Sequence, residues 1–232
     1  MRMIVLSEDP ESIASKIAAV MGISVYSLPK NFSLGAIAAT LQPQTNPPQN
    51  SFGIWLSAPP SIDRYRAVYD AFLSRNIQLL NRPEQYAIAQ QFSNIYSKLS
   101  DLAPVKSAQS WAEVRQAADL HYGQADPKGK PLGRSFRVYL YRQTILTYAY
   151  FWEVDDPLKW LTVEEEEAIF DMALKAAARL DLLFVAIDIG QQVCDNWTIV
   201  GVSDAQFCLL NQTPMISFWG ELEKIFSAQM SG

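Results

Sequence analysis

With 232 residues, 49% of them hydrophobic and 19% charged, this chain can bury a sizeable core as one large domain or two small ones, and its composition is neither disordered nor collagen-like. A formal net charge of -5 and a pI near 5.0, with no run of Lys or Arg, leave no basic excess for phosphate backbones, so nucleic acid is excluded as the main partner. Two cysteines, Cys194 and Cys208, outside any CxxC or Cys/His grouping, give no basis for a disulfide scaffold or a zinc site.

The N-terminal MRMIVLSEDP holds an apolar run too short for a signal-peptide core or a bilayer span, which sets the expectation of a cytoplasmic protein with no membrane partner. Met3 to Leu6 reads as a short buried strand. Glu11 to Met21 repeats apolar residues at helical spacing (Ile13, Ile17, Val20, Met21), Gly22 closes the turn, and Ile23 to Leu28 returns to strand composition. The proline-rich QPQTNPPQN, Gln42 to Asn50, reads as a surface loop. Beyond it, Gly53 to Ser57 is a strand, and Ser61 caps a helix whose stripe is Ile62, Tyr65, Val68, Tyr69 and Phe72. Ile77 to Leu80 is another strand. Pro83 then opens one long helix reaching about Leu99, with Tyr86, Ile88, Ala89, Phe92, Ile95, Tyr96 and Leu99 on its apolar side. Strands alternating with helices predict an α/β unit here.

The second half changes character towards α+β. Trp111 to Tyr122 predicts a helix, and GQADPKGKPLG, Gly123 to Gly133, a loop bearing Lys128 and Lys130. RSFRVYLYRQ and TILTYAYFW predict two strands, in which about half of Tyr139, Tyr141, Tyr148, Tyr150, Phe151 and Trp152 belong to the core. Thr162 and Glu165 form a capping box for a helix to about Leu180, and the acidic run Glu164 to Glu167 complements its dipole as a solvated helix start. Phe184 to Ile189 and Trp197 to Val202 then pair as antiparallel strands. The predicted division is residues 1–104 as an α/β domain and 105–232 as a second one.

Asp188 and Asp204 fall at the edges of these last two strands, where a carboxylate is costly unless a cation, hydrogen bonds or water compensates it. Two readings are open. Each acid can cap a turn, which spacing alone favours for either residue taken singly, or the pair can help hold a magnesium ion. His121, the one histidine, has no acid or serine motif beside it, and Lys106 with Ser107 follows Pro104 in a linker, so both read as surface residues. No GxGxxG or GxxxxGK[ST] loop occurs, which argues against Rossmann and P-loop chemistry.

The helix, strand, strand layout with AIDIG and WTIVGVSDAQ resembles the C-terminal core of the ATP-grasp superfamily. The resemblance is to a clade of small bacterial and phage ATP-grasp-like proteins: RYRAVYDAFLSRNIQLLNRPEQYAIAQQF looks like that clade's lead-in domain, YSKLSDLAPVKSAQSW like its linker, and GRSFRVYLYRQTILTYAYFW like its arginine-bearing strand pair. The resemblance implies ATP and Mg2+ as cofactors and a small-molecule or peptide carboxylate as substrate. It assigns Asp188 and Asp204 to the metal, Gln206 to the nucleotide site, and Arg137 to phosphate or the acyl phosphate as catalytic residue.

This chain also departs from the family pattern. Gly201 stands where the family has a metal-binding Glu, with Ser203 next, and Ser135 stands where an acid precedes the strand arginine. The residues between Lys106 and Gly133 are too few for the lobe that clamps ATP, so that lobe is expected to be deleted or reduced to one helix. Lys128 and Lys130 either stand in for its lysines or are solvated. The resemblance thus implies an ATP-dependent carboxylate–amine ligase working through an acyl phosphate, or a degenerate fold kept as a binding or regulatory module.

Overall fold

The computed structural model describes residues 2–30, 32–40, 51–125, 131–209 and 212–228. They divide into two units, one from residues 1–87 with 215–232 and the other from residues 88–214.

In the first unit, β1 (Arg2–Ser7), β2 (Ser24–Ser27), β3 (Ser51–Leu56) and β4 (Ile77–Leu79) form a parallel sheet in the order β2-β1-β3-β4. Met3, Ile4, Val5 and Leu6 are all buried, as expected of a parallel strand covered on both faces. Helices α1 (Ile13–Val20), α2 (Leu34–Thr40) and α3 (Ile62–Leu73) lie in the connections, and α4 (Pro83–Gln90) follows β4. Tyr65 and Tyr86 stack with centroids 4.2 Å apart, and their hydroxyls donate to the carbonyls of Asn81 and Pro60, each at 2.6 Å. Two large rings are thereby buried with their polar tips satisfied.

The second unit contains α5 (Phe92–Leu99), α6 (Trp111–Ala117), the hairpin β5 (Tyr122–Ala125) and β6 (Pro131–Gly133), β7 (Ser135–Tyr141), β8 (Thr144–Tyr150), α7 (Val163–Arg179), β9 (Phe184–Gln191) and β10 (Trp197–Asp204). Its main sheet is antiparallel, in the order β10-β9-β7-β8. One face presents Phe136, Val138, Leu140, Val185, Ile187 and Ile189 to Ile169, Ala173, Ala176 and Ala177 of α7 and to Ile95 and Leu99 of α5. Alternation sends Ser135, Arg137, Tyr139, Ala186, Asp188 and Gly190 to the other face. A register shift between Ile199 and Gly201 lets Ile199 and Val202 both reach the α7 core while Val200 packs with Ala118 and Leu120. That bulge gives the strand one extra residue on the polar face. A last helix, α8 (Met215–Ala228), belongs to the first unit, where the Trp219 indole donates to the Ala14 carbonyl at 3.0 Å.

Several expectations are corrected by this packing. The buried side of α1 is Ala14, Ser15 and Ala18, while Ile13 is 53% and Val20 87% exposed, because small residues are what let α8 approach closely. The predicted helix from Pro83 to Leu99 is two helices broken at Gln91, whose backbone is extended (φ -103, ψ 94). Tyr86 of α4 joins the first core, whereas Ile95 and Leu99 of α5 join the second, and no Gly or Pro marks the break. The two compact units meet at 87/88 and again at 214/215. Between Lys106 and Gly133 the chain keeps a helix and a two-stranded hairpin, more than the single helix anticipated. The proline-rich loop 42–50 lies outside the described residues.

The capping box at Thr162 and Glu165 is present, and Glu165 does more than cap. Arg134, 6% exposed, donates to Glu165 Oε1 at 2.5 Å and Oε2 at 3.0 Å, to the carbonyls of Leu158 and Trp160, and to Gln191. Its guanidinium lies over both the Phe136 and Trp197 rings, at 5.6 and 5.4 Å. Glu166 accepts from the Tyr148 hydroxyl at 2.9 Å, so this part of the acidic run is tied to the sheet and not merely solvated. The bonds from Arg134 outweigh burial and hold the Glu165 carboxyl below its ordinary value of 4.5. A lowered native pKa stabilises the fold fully above that ordinary value, and the contribution is lost as pH falls through the lowered one. Glu165→Gln is therefore expected to lose about 1–3 kcal/mol at neutral pH and to flatten the acid limb of stability, as read from urea unfolding across the acid range.

Candidate functional site

Asp188 is not at a strand exit. It is the fifth residue of β9, 4% exposed, with Arg137 opposite it on β7 and Gly201 opposite it on β10. Arg137 clasps it by two parallel bonds, Nε to Oδ1 at 2.6 Å and Nη2 to Oδ2 at 2.8 Å, and turns Nη1 to the Cys208 carbonyl at 2.7 Å. A second guanidinium arrives from α6: Arg115 Nη2 donates to Asp188 Oδ2 at 3.0 Å, and its Nη1 lies 3.5 Å from the Ser135 hydroxyl. Both guanidiniums lie over the Phe151 ring, at 4.3 Å for Arg115 and 5.0 Å for Arg137. Gly201 makes this possible. A Cβ there would fall 2.5 Å from Asp188 Oδ2 and 3.1 Å from its Cβ, so the carboxylate occupies the space a side chain would need.

The two arginines differ in how well they are neutralised. Burial opposes the charge of Arg137, but the bidentate bond to Asp188 outweighs it and raises its pKa above the ordinary range. Arg115 is lowered, first by burial and then by the neighbouring charge of Arg137, with Asp188 only partly offsetting both. Asp188 accepts two bonds from Arg137 and one from Arg115. Cys208, half-buried, donates its thiol to the Asp204 carbonyl at 3.2 Å, and burial pushes its pKa up to about 12.

Asp204, the last residue of β10 and 2% exposed, caps the turn Ala205–Phe207: its Oδ1 accepts from the Gln206 amide at 2.9 Å, and the Gln206 side chain donates back to it at 3.3 Å. It stands opposite Val185, away from the Gly201–Asp188 register pair. The structure pairs Asp204 with Gln206, and Asp188 with Arg137 and Arg115. Lys128 and Lys130 lie outside the described residues. Lys106 and Ser107 are exposed, and His121 pairs with the exposed Asp195 at 3.0 Å. Tyr139, Tyr141 and Tyr150 are core, while Tyr148, Phe151 and Trp152 are half-buried.

Sequence reasoning missed Arg115. Its only signal is a cation next to Val114 and three residues before Ala118, both fully buried, on a short helix with few other landmarks.

No family model matches the sequence, and no curated protein matches it. Solved structures do. The ATP-grasp ligase PsnB complexed with minimal precursor, Mg and ADP aligns at a TM-score of 0.55 and 14% identity, covering 96% of this chain and 96% of that one. D-alanine–D-alanine ligase from Bacillus anthracis complexed with ATP gives 0.56 and 10%, covering 100% and 99%. A putative ATP-grasp superfamily protein from Archaeoglobus fulgidus gives 0.54 and 11%, covering 88% and 81%. The chain has the ATP-grasp fold. Its parallel sheet and its antiparallel sheet backed by α7 are that fold's α/β architecture, as the sequence resemblance implied.

An ATP-grasp fold implies magnesium, and the residues here do not fit it. Mg2+ needs carboxylate oxygens with free lone pairs at about 2.0–2.1 Å in octahedral order. Both Asp188 oxygens already accept from guanidiniums, and a dication would have to displace two cations to reach them. Among the described residues, no group of three or more His, Cys, Asp or Glu side chains is placed to hold a metal ion. As paired here, Asp188 does not fit magnesium, and Arg137, at 8% exposure, turns N–H groups to Asp188 and to the Cys208 carbonyl. Likewise no helix among the described residues is long and apolar enough to cross a membrane.

Proposed function

We propose that this chain is an ATP-grasp carboxylate–amine ligase-like enzyme: ATP phosphorylates a carboxylate, and an amine displaces phosphate from the acyl phosphate. The observation that carries this reading is the ATP-grasp fold extending over nearly the whole chain, shared with the ligase PsnB and with D-alanine–D-alanine ligase. The substrate class is a small-molecule or peptide carboxylate, the phosphoryl donor is ATP, and a cytoplasmic setting and kinship with the small bacterial and phage clade belong to the same proposal. Within the site, Arg115 is the residue whose guanidinium edge is open to an anionic reactant, with Arg137 as a positioning residue that fixes Asp188. Magnesium would have to come bound to the nucleotide, because no aspartate of this site is free to hold it.

A second reading, a binding or regulatory module without catalysis, is favoured by the double arginine pairing of Asp188 and by Gly201. A triphosphate next to one under-neutralised guanidinium receives less stabilisation of phosphoryl transfer than a metal-filled site gives. The test is ADP release by the purified protein with ATP, Mg2+ and pooled acids and amines, beside thermal unfolding with a non-hydrolysable ATP analogue. ADP release that depends on added acid establishes the ligase reading. A raised Tm with no turnover transfers the case to the module, and neither response overturns both.

A further inference from the structure

Arg115 opens onto a cavity of about 500 Å3 that Ala112, Gln116, Leu120, Tyr122 and Trp152 also line. That volume lies within the range of small-ligand pockets, about 300–1,000 Å3. The wall is held in place by main-chain bonds: His121 N–H to the Gln191 carbonyl at 2.9 Å, Val193 N–H to the Asp119 carbonyl at 2.9 Å, and Arg134 N–H to the His121 carbonyl at 2.6 Å. Leu120 seats over Gly133 and Gly190, where a Cβ at either would come within 2.6 Å of it. The mouth is therefore built before any ligand arrives.

Its chemistry is unbalanced in one direction. Two guanidiniums face one carboxylate, and Arg137 takes the larger share of it. The Arg115 side chain is 24% exposed. Around it stand the buried Leu120, the half-buried Trp152 and Tyr122, which is 53% exposed. We infer that this cavity binds a small organic acid with an aromatic or branched apolar body, its carboxylate on the open N–H edge of Arg115 and its body against Leu120, Tyr122 and Trp152, with no divalent cation between them. A carboxylate suits the planar fork of a guanidinium, and flat apolar groups suit the ring faces. The lowered pKa of Arg115, caused first by burial, agrees, because an incoming anion would add to the counter-charge of Asp188. The inference rests on the ligase reading in placing a carboxylate on Arg115 and goes further in naming its apolar body; its test needs no ATP turnover, so binding without ADP release would fail that reading and leave this one standing.

Titration calorimetry of the full chain with 3-phenylpropionate in the presence of EDTA tests it, with 3-phenylpropanol as the uncharged control. The acid is expected to bind and the alcohol not. Arg115→Gln is expected to weaken binding about tenfold or more by removing a charge-assisted bond. Tyr122→Ala, at an exposed position that does not endanger folding, is expected to weaken it severalfold, with circular dichroism confirming both variants folded. Absence of binding, equal binding of the alcohol, affinity unchanged in both variants, or binding only after Mg2+ is added would each overturn the inference.

Discussion

Replacing Arg137 by Leu is expected to cost about 3–5 kcal/mol of unfolding free energy, the range for removing one partner of a buried ion pair. The size follows from what remains. Asp188, 4% exposed, keeps only the single bond from Arg115, and the Cys208 carbonyl loses the Nη1 donor. An exposed pair would be worth about 0–1 kcal/mol, so the magnitude itself reports whether this one is buried as described. Arg137→Met combined with Asp188→Leu is expected to be less destabilised than Arg137→Leu alone, since the orphaned carboxylate is gone and Arg115 can turn towards solvent. Urea unfolding of the two variants beside the unaltered protein is the measurement. A loss below about 1 kcal/mol for Arg137→Leu would contradict the buried pair.

Gly201→Glu is expected to destabilise the fold by about 2–4 kcal/mol and to create no magnesium site. By the family resemblance, this is the substitution that ought to restore a metal-binding acid. In the structure its Cβ would fall 2.5 Å from Asp188 Oδ2, so it forces the carboxylate off its arginines before any ion can be recruited. Two carboxylates and two guanidiniums would then compete in space shaped for one and two. Gly201→Ala isolates the steric part and is expected to cost about 1–3 kcal/mol. Thermal unfolding with and without Mg2+ separates the effects. A magnesium-dependent rise in Tm for Gly201→Glu would show that the arginines do not hold Asp188 against a metal.

How much of this was legible in the chain depends on the range of the forces involved. Alternating apolar residues located β7, β8, β9 and β10, and Thr162 with Glu165 located the start of α7, because period and capping are local properties. The stripe Tyr65, Val68, Tyr69 and Phe72 of α3 was read correctly for the same reason. The α1 stripe was not, since its buried face is chosen by α8, a helix far along the chain that the reading did not anticipate. The break at Gln91 was invisible because neither Gly nor Pro causes it. It falls past the point, between Ala87 and Ile88 within α4, at which the chain passes from one unit to the other.

At the site the same division holds. Local sequence determined the strand pair and the acids it carries, and it left two readings of those acids open. Only the tertiary structure decided that Asp204 caps its own turn and that Asp188 is claimed by arginines from β7 and α6. A buried charge takes its role from whichever counter-charge the fold brings to it. Arg115, distant in sequence and unmarked by spacing, is brought to Asp188 by the hydrogen bonds between the exit of α6 and the end of β9.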